Sequence, residues 1–147
     1  MQSEQQPLRA HKRETIGSTH KARAIISKMN TVAGLRLSLS PIFRQYNIQK
    51  AILFGSLARG EETKHSDVDL ILIQETAKRF WDRYDGLMLE IGNAIQGRAV
   101  IPLIYTPMEF KAMNERTFIQ RAIREGIVLF DCENRETRSG ITNAASL

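Results

Sequence analysis

The chain has 147 residues, 25% charged and 42% hydrophobic, a length suited to one domain with a core of its own. A single cysteine, Cys132, excludes an internal disulfide and a cysteine-built zinc site, and apolar runs of four or five residues fall far short of the ~20 that span a bilayer. The 21 basic and 16 acidic side chains are unevenly spread: residues 1–30 hold six basic groups against two acidic ones, and the remainder is close to balance.

Residues 1–30 are polar and rich in Gln and Ser until Ala24-Ile25-Ile26. Such a stretch buries too little surface to fold alone. It reads as a flexible basic leader with a short helix near 20–29, and Met29 is an alternative start. Nucleic-acid contact through this arm is a weaker reading. No apolar stretch of 7–15 residues opens the chain, and Glu4 and Glu14 argue against a transit peptide. A cytoplasmic protein is expected, with no membrane contact.

The domain is expected over residues 31–131, followed by a polar tail over 132–147. Ser40-Pro41 has the form of an N-cap followed by proline at the first helical position, which predicts a helix over 41–46, with a longer kinked helix as the alternative. Lys50 to Phe54 reads as a buried strand ended by Gly55-Ser56. A helical turn over 56–60 and a polar loop over 61–66 follow, then a second strand from Val68 to Ile73. Phe80, Tyr84, Leu87, Met88, Ile91 and Ile95 form one apolar stripe, predicting a helix over 77–96 with Gly97 as its C-cap. Ala99 to Tyr105 is a third strand, placed at an edge by Pro102. Thr106-Pro107-Met108-Glu109 has capping-box spacing and opens a helix that runs to Glu125, with a break near Asn114. Ile127 to Phe130 is a last strand. This alternation predicts an α/β or α+β fold: a small mixed sheet of three to four strands flanked by helices.

The chemistry concentrates in Phe54-Gly55-Ser56, ten residues, then Asp67-Val68-Asp69-Leu70. Strand alternation places both carboxylates on one face, with Val68 and Leu70 pointing to the core. Two such charges need a shared proton or a hard cation between them, and Mg²⁺ suits carboxylates that also meet phosphate. Glycine allows a phosphate close to the backbone, and the turn amides with the Ser56 hydroxyl are donors for it. Together these are the parts needed for phosphoryl-type transfer, where positioning and charge neutralisation dominate.

Ile52 to Gly60, with Ser66-Asp67-Val68-Asp69-Leu70, resembles the minimal nucleotidyltransferases of the DNA polymerase β-like superfamily, whose signature is Gly-Ser, ten residues, Asp-x-Asp. Tyr105 to Phe110 and Phe118 to Leu129 are similar to that group as well. The resemblance implies a polymerase β-like nucleotidyltransferase fold and transfer of a nucleoside monophosphate, AMP first among them, from an NTP such as ATP to a hydroxyl. It implies Mg²⁺ on Asp67 and Asp69 as catalytic residues and the nucleotide on Gly55 and Ser56. Arg59 reads equally as a further nucleotide-binding phosphate contact or as a solvated arginine of the helical turn. Many relatives are antitoxins paired with an all-helical ribonuclease toxin of the HEPN type, and some transfer AMP to that partner. The alternative is therefore an attenuated antitoxin-like module that neutralises a HEPN-type toxin; self-association stays open. One departure stands out. Catalytic members carry a third carboxylate on the next strand, where this chain has Ile101.

The remaining candidates have plainer readings. His65 reads as an exposed loop residue, and His11, His20 and His65 lack metal-ligand spacing. Trp81 is expected at the edge of the core, with a partner surface as the alternative. Cys132 is read as inert, and Arg121 and Arg124 as exposed helix charges.

Overall fold

A computed structural model describes residues 20–26 and 30–134. The expected leader before residue 20, residues 27–29 of the short helix, and the tail beyond 134 lie outside them. The elements are α1 (residues 20–26), α2 (Val32–Gln45), β1 (Ile48–Phe54), α3 (Ser56–Arg59) and β2 (Val68–Gln74). A 3-10 turn at Trp81–Tyr84 and α4 (Leu87–Ala94) lead to β3 (Val100–Tyr105), α5 (Pro107–Ala112), α6 (Thr117–Glu125) and β4 (Ile127–Asp131). None of the described helices is long and apolar enough to cross a membrane.

The strands form one mixed sheet in the order β3-β2-β1-β4. β1 is antiparallel to both its neighbours, and β2 runs parallel to β3. β3 is an edge strand, as Pro102 required, because proline cannot donate to a second ladder. β2 is central, and every residue of it except Asp69 is buried. On one sheet face α2 and α4 bury Leu35, Leu39, Phe43, Leu87 and Ile91 against Leu53, Leu70 and Leu72. On the other, Ile119 and Ala122 of α6 cover Ile52 and Ile71, with Leu103, Tyr105 and Phe110 packed around them.

Of two helix expectations, one resolves to its longer alternative and one is corrected. The helix containing Pro41, α2, begins nine residues before the proline, at Val32, with the Thr31 hydroxyl accepting from Gly34 N at 3.1 Å. Leu35, Leu39, Ile42 and Phe43 make one buried stripe through the proline. Pro41 itself is exposed, and Leu37, whose carbonyl it leaves without an amide, is 80% exposed. A proline on the wet side costs less than a broken stripe would. The 77–96 helix is instead two pieces. Gly86 takes φ 74, and a β-carbon there would lie 2.7 Å from the Tyr46 hydroxyl oxygen. The chain therefore turns between the 3-10 segment and α4. Trp81 is thrown outward to 78% exposure, contrary to the expected core edge, and stacks edge-on against Phe80 at 4.9 Å.

The helix after β3 breaks at residues 113–116, near Asn114 as expected. Its first half is pinned by the Thr106–Glu109 capping box. The same Glu109 carboxylate receives the buried Arg83 guanidinium in two bonds of 2.7 and 2.9 Å. Arg83 and the Thr106 amide hold Glu109 at a pKa of about 2, well under the usual range. Its stabilising effect is complete above the unfolded value near 4.5 and fades as pH falls toward 2. Glu109→Gln leaves the Arg83 charge unpaired and is expected to cost about 1–3 kcal/mol, reduced from a fully buried pair because Glu109 is partly wet. Urea unfolding across pH 2–6 checks this: the acid loss below pH 4.5 should shrink in the variant.

Gly126 joins α6 to β4 in a slot with no room for a side chain. A β-carbon would collide with the Ala122 carbonyl and lie 2.7 Å from Ile52 Cγ2 and 3.0 Å from the Leu53 carbonyl. Two of these three neighbours are backbone and cannot swing away. Gly126→Ala is expected to destabilise by about 1–3 kcal/mol, read from denaturation midpoints.

Candidate functional site

The site grows from one register. Phe54, the last residue of β1, lies opposite Asp69 near the start of β2. The turn leaving one strand therefore sits beside the strand end entering the other. Gly55 takes φ 76 and ψ −157, a region essentially restricted to glycine. A β-carbon at Gly55 would also collide with Asp69 Oδ2 and stand 3.3 Å from its Cγ. The backbone conformation demands glycine, and a β-carbon there would also push the Asp69 carboxylate from its place. Ser56 opens the single turn α3, closed by Gly60 at φ 69 in the left-handed region. No hydrogen bond engages the Ser56 hydroxyl among the described residues.

Val68 and Leu70 are wholly buried, so alternation turns Asp67 and Asp69 to the opposite face, the one on which α5 and α6 pack. Asp67 is exposed and Asp69 partly buried. Neither is tied into an ion pair or hydrogen bond among the described residues. Burial raises the Asp69 carboxyl above its ordinary value, repulsion from Asp67 adds to this, and Arg59 partly opposes it. Two neighbouring carboxylates without an ion pair among the described residues, with Asp67 disfavouring the charge of Asp69, fit a hard divalent ion. No group of three or more His, Cys, Asp or Glu with metal-binding placement occurs among the described residues.

The missing third acid has a definite place. In the parallel ladder Ile101 is the partner of Asp69, and it is 46% exposed. The residue that the resemblance aligned with a carboxylate is thus the lateral neighbour of Asp69, and it is apolar. Glu109 cannot substitute, being committed to Arg83 and Thr106.

Arg59 is not free. Its Nε donates to Glu61 at 2.9 Å, and its Nη1 lies 3.8 Å from Glu125. Glu125 in turn pairs with Arg121 one helical turn back, and Arg124 approaches at 4.0 Å. Phe118 packs edge-on against Phe54 with ring centres 5.4 Å apart. The sequence drew no attention to Glu125 or Phe118 at this place, because both come from α6, which reaches the corner only through tertiary packing. It also passed over Arg98, whose Nη1 donates to the Thr63 and Ser66 carbonyls at 2.9 and 2.8 Å. His65 and Cys132 are exposed. A groove of about 550 Å³ along β4, lined by Arg36, Arg44 and residues 128–131, contains none of the expected site residues.

The fold is similar to that in a crystal structure of a toxin–antitoxin with AMP-PNP, at 15% identity and a TM-score of 0.50, covering 76% of this chain and 85% of that one. A Sulfolobus solfataricus structure assigned to the nucleotidyltransferases is 18% identical with a TM-score of 0.48, over 75% of this chain and 88% of the other. No curated protein matches the sequence. The family model described as "Polymerase beta, Nucleotidyltransferase" matches residues 38–135, two-thirds of the sequence, and spans β1, the Gly55-Ser56 turn, both aspartates and β4. By that match the chain belongs to the polymerase β nucleotidyltransferase family.

Proposed function

We propose that the chain transfers a nucleoside monophosphate, AMP from ATP in the first instance, to a hydroxyl acceptor. The observation that carries this is the shared corner of Gly55, Ser56, Asp67 and Asp69, set by the Phe54–Asp69 register. In this reading Asp67 and Asp69 would hold Mg²⁺, which would supply positive charge to neutralise the triphosphate. Gly55 leaves room for a phosphate against the backbone, and Ser56 with the turn amides donates to it. Arg59 adds positive charge on exchanging Glu61 for phosphate. The acceptor oxygen forms a bond to the α-phosphorus, the bond from that phosphorus to the bridging oxygen breaks, and pyrophosphate leaves with its electron pair. The acceptor proton must go to a base. Beside Asp69 that place belongs to Ile101, so the proton goes to solvent or to a group on the acceptor. Loss of a positioned base costs roughly 10²–10⁴-fold in rate.

A second reading is favoured by Ile101 and by the likeness to a toxin–antitoxin that carries a nucleotide analogue. Here the chain is an antitoxin-like module that binds a HEPN-type helical partner, with slow transfer or none.

Asp67→Asn with Asp69→Asn should abolish Mg²⁺-dependent ATP binding, measured by titration calorimetry with and without the metal. Unchanged binding would refute the site. The same double variant separates the readings: neutralisation of a co-expressed toxin that survives it requires no turnover. Ile101→Asp should raise transfer of label from α-labelled ATP to acceptor protein by at least tenfold. No gain would mean that the β3 position is not the lesion.

A further inference from the structure

We infer that Arg98 is a positioning residue that fixes Asp67 for the metal, an assignment that rests on the nucleotidyltransferase reading of the site. Asp67 stands at the end of an exposed polar loop, outside the β2 ladder, and nothing in its own surroundings holds it. A carboxylate left on a wandering loop would meet a metal only after losing that freedom on binding. The structure removes the freedom from outside the loop. Gly97 turns the chain at φ 82, and the next two residues grip both flanks of Asp67. Arg98 Nη1 donates to the Ser66 carbonyl at 2.8 Å, which belongs to the peptide group that carries the Asp67 amide. The Ala99 carbonyl accepts from the Val68 amide at 2.8 Å, immediately after Asp67. Arg98 also reaches the Thr63 carbonyl at 2.9 Å.

The loop is closed on itself between those points. The Thr63 amide donates to Ser66 Oγ at 2.8 Å, and the Ser66 amide to the Thr63 carbonyl at 3.2 Å. One guanidinium nitrogen therefore joins the two ends of this turn and its exit into Asp67. Arg98 makes no ion pair with a carboxylate among the described residues, so its charge is spent on carbonyl oxygens alone. Such bonds to a charged donor are stronger than neutral ones. A lysine at 98 keeps the charge and the hydrogens, but its shorter chain ends before the position that Nη1 takes and reaches these carbonyls less well.

Arg98→Gln and Arg98→Lys test this, each compared with the wild-type chain. Amide hydrogen exchange over residues 61–67 should quicken in Arg98→Gln while exchange in β1 and β2 stays as in the wild type. The Mg²⁺ concentration giving half-maximal binding of a fluorescent methylanthraniloyl-ATP should rise about tenfold, with binding recovered at high Mg²⁺, and Arg98→Lys should fall between. A purely structural role would instead lower the thermal midpoint and leave the Mg²⁺ dependence of the folded fraction unmoved. Unchanged exchange, or quickened exchange with an unchanged Mg²⁺ midpoint, overturns the assignment of Arg98 and spares the site. A wild-type chain with no Mg²⁺-dependent nucleotide binding brings down the site reading, and the role of Arg98 with it.

Discussion

The pairing of β1 with β2 is the constraint on which the rest depends. It sets Phe54 across from Asp69. A slip of one residue would turn Asp69 into the α2 side of the core and move Leu70 to the α6 side. The wholly buried Val68, Leu70 and Leu72 on one side and Ile71 on the other make that slip prohibitive. Hydrophobic burial in the middle of the sheet thus locates two charges at its end. The glycine that the corner needs is demanded by its backbone conformation, and its lack of a side chain leaves the Asp69 carboxylate where it stands.

Charge is distributed around this corner so that little of it is idle. Arg59 is held by Glu61 and reaches Glu125, and Glu125 is approached by two further arginines. Asp67 and Asp69 are left outside these pairs. Ion pairs at the surface contribute little to stability. Their effect here is to keep the neighbouring cations occupied, so that Asp69 faces the repulsion of Asp67 with only partial relief from Arg59. The apolar Ile101 beside them adds no third charge.

Much of the fold was legible in the sequence because strands and caps write short, local signals. The Gly-Ser turn, the Asp-x-Asp strand end, the Thr106–Glu109 box and the edge position of Pro102 all depend on neighbours within a few residues. Pro41 misled because a local rule met a tertiary exception: the buried stripe of α2 runs on through it, with the proline on the water side. The 77–96 stripe misled because its periodicity continues across Gly86, whose positive φ turns the chain beside the distant Tyr46. Of the site, the sequence displayed the residues that share its two motifs. It hid Arg98, Phe118 and Glu125, which arrive from later in the chain and whose residue types are ordinary for a surface.

The order of strands has a consequence for assembly. Phe54 meets Asp69 from close by along the chain, whereas Leu53 meets Ile127 only after β2, β3, four α-helices and a 3-10 turn have passed. Closing a long loop carries an entropic cost, and such distant pairings slow folding. The candidate corner belongs to the nearest-neighbour hairpin, and the last strand pairs across a far longer stretch of chain. A growing polypeptide can therefore align its acidic strand end with the glycine bend well before its sheet is complete, and the step that seals the outer edge, through the tight passage at Gly126, comes last.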